Sequence, residues 1–457
     1  MGIRTIFHFK FAALRASAGL LPPVLLLTVF LAAGCASSPA PKSRPVYTAA
    51  QQTSLASGQT PPGGYTWQNL VNLTVASSPD YAARIAKANV EYLRYKSKTD
   101  LGEPRFSFGY SFVADENRRD QFGLGLRFPI PNPFVNKQIL RTGEAAQREA
   151  ENDAEVLRNK FASMIYEMVQ EILIGEQELS ILLLREQVLA DWENYLQVRY
   201  DARMATQTDM RDFEIRRIRL KSTIQQSRLK VQAARRALQS LVQIPDEQMV
   251  LNPSLSDWDA VLAELKDEQT LIGNAFSRSP ELAAAIAACE KADASLDAVK
   301  AKQIPWFRSV YVTYSPSFTE NWGYNYAGIW TSSQKAVYKW TFGLNINLPV
   351  FTWFGAEKKM AEADAELASI QAAGIRERIR NDVSGIMGDL RETLEFLTDY
   401  RSVFDSMPEP ARETIPDAES WFKLLDDRLS ASEYTLKMEL QCAYIYAELL
   451  KITGIWE

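Results

Sequence analysis

The chain has 457 residues, of which 46% are hydrophobic and 23% charged, with a formal net charge of −5 at pH 7. Its single histidine is His8 and its three cysteines are Cys35, Cys289 and Cys442, a set that excludes a Ser-His-Asp triad, a catalytic Cys-His pair and a histidine-ligated zinc site from the body of the chain. The acidic balance also argues against nucleic acid as a partner.

Residues 1–34 read as an export signal: Arg4, Lys10 and Arg15 precede an apolar run from Leu20 to Ala33, and Leu31-Ala32-Ala33-Gly34-Cys35 sets small residues before a cysteine. The pattern is similar to a bacterial lipoprotein signal, so Cys35 is the expected site of covalent lipid attachment (palmitate-type), and no other cofactor is expected. Ala36, rather than an acid, by the same resemblance favours the outer membrane. Removing the three basic residues, with no acids, takes the formal charge from −5 to −8. Residues 35–65, rich in Pro, Ser, Thr and Gln, read as the lipidated N-terminus and a flexible tether.

Ser78-Pro79-Asp80 starts a helix reaching about Lys98, with serine as cap and proline in the first turn. A strand follows, with Phe106, Phe108, Tyr110 and Phe112 on one face. Phe122, Leu124, Leu126 and Phe128 then alternate with Gly123, Gly125 and Arg127, the period of a strand with one apolar face. Pro131 and Pro133 end it. Lys137 to Arg203 contains no proline and predicts one helix roughly 100 Å long. Its seam of Leu157, Phe161, Met164, Met168, Ile172, Gly175, Leu179, Leu182, Leu189, Trp192 and Leu196 has coiled-coil spacing, and a return helix shows Phe213, Leu220, Ile224, Val231, Ala234 and Leu238 in four-three alternation.

The whole unit recurs. Ser279-Pro280-Glu281 repeats the helix start, and Phe342, Leu344, Ile346 and Leu348 repeat the strand, with Asn345 and Asn347 between them. The organisation is therefore a tandem duplication: repeat 1 over 66–244 (hairpin 105–130, helices 137–242), an equatorial linker over 245–268, and repeat 2 over 269–457 (hairpin 306–350, helices 356–452). The fold class is mainly α with a small β part. Repeat 2 carries a longer hairpin loop, Ser315 to Lys339, and an interruption from Met407 to Pro416 that predicts a kink. The strand near Phe307 is ambiguous, because Trp306, Arg308, Val310 and Val312 compete with Phe307 and Tyr311 for the apolar face.

The lipoprotein signal and the doubled order of Ser-Pro helix, hairpin, Phe-Gly-Leu strand and long helix pair resemble the TolC-like outer-membrane factor family over Ser78 to Gly454. The resemblance implies a homotrimer whose strands close a 12-stranded β-barrel, continued as a 12-helix periplasmic tunnel that meets an adaptor protein and an inner-membrane pump. It implies export of solutes, no enzymatic activity, and an outer-membrane location anchored through Cys35. It also assigns Phe122, Leu124, Leu126, Phe128, Phe342, Leu344, Ile346 and Leu348 to outer-membrane lipid, with Arg127, Asn345 and Asn347 in the lumen. Arg203, Met204, Arg428 and Leu429 align with the helix-hairpin tips that dock an adaptor, the two arginines standing where glycine is usual. Asp426 and Asp427, then Asp201 and Asp209, are the candidate periplasmic gate. The alternative reading is a periplasmic coiled-coil scaffold or chaperone lipoprotein, which shares the seam and the anchor but has no use for four alternating strands.

Overall fold

Each half of the molecule opens on the same serine cap. The Ser78 hydroxyl accepts from the Tyr81 amide at 3.3 Å and starts helix α2 (Pro79–Lys96), just after a short α1 (Trp67–Ser77). Ser279 accepts from Leu282 at 3.4 Å and starts α6 (Pro280–Lys302), just after α5 (Glu268–Arg278). In both, proline fills the first turn, where its missing donor costs nothing.

The computed structural model describes residues 64–100, 102–111, 119–244, 249–252, 258, 261, 267–324, 327–328, 330–348, 355–406 and 417–454. They lie in one unit, Ala49–Glu457; the other, Met1–Thr48, which includes Cys35 and the signal, lies outside the described residues.

The central element is α3 (Pro133–Asp201), 69 residues capped by Asn132, whose side chain accepts from the Phe134 and Val135 amides at 3.0 and 3.4 Å. It starts one turn earlier than the Lys137 expected from sequence, because Asn132-Pro133 is itself a cap followed by an N1 proline. Its length is roughly 100 Å at 1.5 Å per residue. The return helix α4 (Gln207–Val242) buries Phe213, Leu220, Ile224, Ser227, Val231, Ala234 and Leu238, the stripe read from the sequence, and ends it on Val242 where Leu241 is expected. In repeat 2, α7 (Ala356–Ser406) descends and α8 (Ala418–Thr453) returns, the latter capped by Asp417.

Near the strands, where α4 does not reach, α6 lies along α3, and the contact is made by small residues. Ala145, Ala146 and Ala150 of α3 and Ala287, Ala294 and Ala298 of α6 are buried. Ion pairs flank the contact: Arg148 with Glu290 at 2.5 Å and Lys291 with Glu149 at 2.7 Å. At mid-height a bridge from Tyr65 to Leu251 ties the tether's end to the linker, the Tyr65 amide donating to Val250 at 2.7 Å. Gly64, at φ +88°, fits there because a Cβ would meet the Val250 carbonyl oxygen at 2.8 Å.

Cores form at mid-height and toward the far end. Leu70, Ile165, Val169, Ile172 and Leu238 make one; Ile379, Val383, Met387, Leu390, Leu394 and Cys442 make a second; Leu182, Leu189, Trp192, Phe213, Leu220 and Phe422 make the third. Cys289 and Cys442 are both free thiols, and burial pushes Cys442 up to about 12.

The four strands, β1 (Arg105–Ser111), β2 (Arg119–Pro129), β3 (Trp306–Tyr324) and β4 (Trp330–Asn347), form one antiparallel sheet in that order. The expectation of a long loop from Ser315 to Lys339 is overturned: β3 and β4 remain paired as far as Tyr324 and Trp330. The Phe, Trp, Tyr, Thr and Val residues of that stretch are the types that fit a pleated surface.

Candidate functional site

Strand register sorts the sheet into two chemically distinct faces, since directly opposed residues share a face. Phe106, Phe108 and Tyr110 of β1 oppose Leu126, Leu124 and Phe122 of β2. Leu124, Leu126 and Phe128 then oppose Tyr314, Val312 and Val310 of β3, which in turn oppose Trp340, Phe342 and Leu344 of β4. This apolar face runs unbroken across all four strands. It is also uncovered: Phe108 is 62% exposed, Phe342 74%, Ile346 54%, and Leu348, just past β4, 65%. The side chain of Phe122 lies outside the described residues, although its backbone pairs with Tyr110.

The opposite face carries Ser107, Gly109, Gly123, Gly125, Arg127, Ser309, Tyr311, Thr313, Thr341, Gly343 and Asn345. The register shift between Phe307 and Ser309 explains the ambiguous alternation in β3. A bulge at Arg308 lets Phe307 oppose Ile346 on the apolar face while Val310 and Val312 remain on that face too. Tyr311 lies across Gly343, where a Cβ would fall 2.0 Å from the ring, and Arg127 sits 5.9 Å from the centre of the same ring.

At the far end of the bundle α3 is flanked by both return helices. Trp192 stacks on Phe422 of α8 with ring centres 5.9 Å apart and meets Phe213 of α4 edge-on. Arg185 Nε donates to Asp426 Oδ1 at 2.5 Å, Nη2 to Asp426 Oδ2 at 3.3 Å, and Nη1 to Glu433 at 3.3 Å. Lys437 completes the network through Glu433 at 2.5 Å.

These contacts correct the placement of the second hairpin tip. Asp426, Asp427, Arg428 and Leu429 lie inside α8, and the interruption expected from Met407 to Pro416 lies outside the described residues. Leu429 is buried in the core with Leu189 and Trp192, and the Arg428 guanidinium lies 5.5 Å from the Phe404 ring centre, so neither is at a tip. Asp417 caps the return, its side chain accepting from the Glu419 and Ser420 amides. The level of Asp426, opposite Arg185, is 16 residues or about 24 Å above the end of α3.

The first tip is where the sequence puts it. Arg203 holds φ +61°, the left-handed conformation glycine adopts without strain, and Met204 is 71% exposed. Asp209 is engaged in a capping box: its carboxylate accepts from the Thr206 amide and hydroxyl, each at 2.8 Å, and these bonds hold its pKa below the ordinary value. Asp201 accepts from Gln197 at 3.1 Å. Asp427 is exposed and makes no ion pair among the described residues.

No protein-family profile matches the sequence, and no curated protein matches it. Solved structures do. The outer-membrane channel OprN is 15% identical, with 85% of this chain and 89% of that one covered and a TM-score of 0.59. The outer membrane protein VceC of Vibrio cholerae is 13% identical over 85% and 96%, with a TM-score of 0.58. The open state of the MtrE outer membrane channel of Neisseria gonorrhoeae is 16% identical over 85% and 88%, with a TM-score of 0.56. The chain has the TolC-like outer-membrane channel fold. The pairing of Asp426 with Arg185 was not legible, because the partners are 241 residues apart and neither stands out from a charged helix surface. No helix among the described residues is long and apolar enough to cross a membrane, which says nothing of a β-barrel, and no cluster there could hold a metal.

Proposed function

We propose that the chain is the subunit of an outer-membrane channel-tunnel that exports solutes in a tripartite efflux or type I secretion system. The observation that carries this is the sheet: an exposed apolar face across four strands, with β1 and β4 each paired on one side only. An apolar area of this size is foreign to a water-facing surface, and an open edge is not viable in lipid. Three copies pairing β4 to β1 would remove every edge and set the apolar face, from Phe106 to Leu348, against the hydrocarbon. The helices support the same assembly. Val90 and Leu93 on α2, Ile215 and Ile218 on α4, and Leu367 and Ile370 on α7 are exposed, as an apolar stripe is when a second copy covers it.

On this reading the polar face lines the lumen, and the tips, with Arg203 and Met204, point to an adaptor that links the tunnel to an inner-membrane pump. Asp426 is taken by Arg185, so Asp427 and Asp201 are the acids left for a periplasmic gate. Cys35 is the lipid anchor. The scaffold alternative does not account for an apolar sheet face on a protein that stays in water. Reconstitution tests the reading: the full chain, extracted in detergent and added to a planar lipid bilayer, should give discrete conductance steps. A chain that stays soluble without detergent and conducts nothing is a scaffold.

A further inference from the structure

On the polar face of the sheet, every charged side chain that the structure describes is a cation. Arg105 of β1 and Arg127 of β2 are register partners, directly opposite each other. Lys339 lies higher on the same face, opposite Ser315. No carboxylate occurs among the described strand side chains. Arg308, at the bulge of β3, reaches the same place: with Arg105, Arg127, Glu103, Pro129 and Ser309 it lines an open cavity of about 430 Å³ where the strands meet the helices.

Like charges set directly opposite each other destabilise a strand pair. Here no ion pair among the described residues offsets that cost. Glu103 borders the cavity but forms no ion pair with the three arginines, and no other carboxylate lies within ion-pair distance of them among the described residues. The one favourable contact is that of Arg127 with the Tyr311 ring. A local conflict without structural compensation marks a functional position.

We infer that Arg105, Arg127 and Arg308 form an anion-retaining constriction at the helix-side end of the sheet, binding carboxylate- or phosphate-bearing solutes in passage. The inference rests on the channel reading above, in which this face is the lumen. A threefold axis would gather the three clusters into one ring, and guanidinium groups, which stay charged at every physiological pH, present paired donors to carboxylate and phosphate oxygens. Rings of Arg or Lys are the means by which a pore favours anions. The aromatic ring of Tyr311, lying over Gly343, flanks Arg127 on the same wall.

The test is selectivity measured in planar bilayers on the full chain, at low salt, where screening is weakest. Neutralising the cluster in R105Q/R127Q/R308Q should lower the chloride-to-potassium permeability ratio, read from the reversal potential in a KCl gradient, by roughly threefold or more. Tripolyphosphate should produce flickering block of the wild-type channel and little or none of the variant, whereas R105K/R127K/R308K should keep both the ratio and the block. An unchanged ratio and unchanged block in a conducting glutamine variant overturn the inference and leave the channel intact. If the glutamine variant does not assemble, the wild-type channel decides: the inference is lost if tripolyphosphate fails to block it. Absence of any conductance from the wild-type chain overturns the channel reading first, and the inference with it.

Discussion

At Gly175 the packing of α4 on α3 leaves no room for a side chain, and the reason is a single methyl group. A Cβ at Gly175 would lie 2.6 Å from Val231 Cγ2, and a β-branched valine on a helix has essentially one rotamer and cannot step aside. Gly175→Ala therefore sets a helix-propensity gain of about 1 kcal/mol against an overpacking cost of about 1–3 kcal/mol, and a net destabilisation of up to about 2 kcal/mol is expected by denaturant titration. Adding Val231→Ala should recover most of the loss; a double variant no better than the single one would place the strain elsewhere.

A second residue gives a pH signature. Glu167 of α3 is raised from the ordinary value of 4.5, first by burial and then by repulsion from Glu448 and Glu171, which outweigh the Ser163 hydrogen bond and Lys451. A carboxyl raised in the folded state stabilises it fully below the unfolded pKa, and loses that contribution as pH rises through the folded value. Glu167→Gln keeps the acceptor for Ser163, 3.1 Å away, without the charge. Its Tm should exceed the wild-type Tm at pH 7, and the gap should close by pH 4. A gap independent of pH would mean that the effect is packing and not titration.

Elements differ in how much of them the sequence reveals, and the difference follows their physics. β1, β2 and β4 alternate without interruption, so their apolar faces could be read directly. In β3 the bulge at Arg308 shifts the phase, so Phe307 before it and Val310 and Val312 after it share the apolar face, while Tyr311 takes the other. The stripe of α4 was legible because large residues carry it. The contact of α3 with α6 follows from length, since the shorter return helix leaves the upper half of α3 for the helix of 280–302 to cover; only the residues that make it, Ala145, Ala146 and Ala150, give a weak hydrophobic signal although they allow close approach. The second tip was misplaced by aligning Arg428 with Arg203, although Arg428 lies well inside α8.

The two faces of the sheet make an element-level prediction. Leu126, opposite Phe106 and Val312, lies on the apolar face, and Asn345, opposite Ser309 and hydrogen-bonded to its hydroxyl at 3.2 Å, lies on the other. An arginine facing hydrocarbon near the midplane costs about 2–4 kcal/mol, against little in a watery lumen. Leu126→Arg should reduce the yield of assembled oligomer, seen on native gels, far more than Asn345→Arg does. The opposite order would mean that the faces are inverted.

At the scale of the whole molecule, two features could each hold it to a membrane: the lipid expected on Cys35 and the apolar face of the sheet. They differ greatly in strength. A single acyl chain gives marginal, reversible membrane binding, while a closed barrel is held by its entire lipid-facing belt. The sheet cannot present that belt alone, since β1 and β4 leave two rows of backbone donors and acceptors unpaired, and satisfying them requires further copies. On the proposed reading, membrane residence and oligomerisation are one event, and a lipid on Cys35 would keep the chain at the membrane before the edges meet. Replacing Cys35 by serine behind an ordinary cleavable signal separates the two. The expected product still needs detergent for extraction and still runs as a trimer by cross-linking and by mass in detergent, with a lower yield as its only defect. A soluble periplasmic monomer would show that the lipid alone supplies the membrane affinity and that the sheet never closes, which would remove the barrel from the account of this protein.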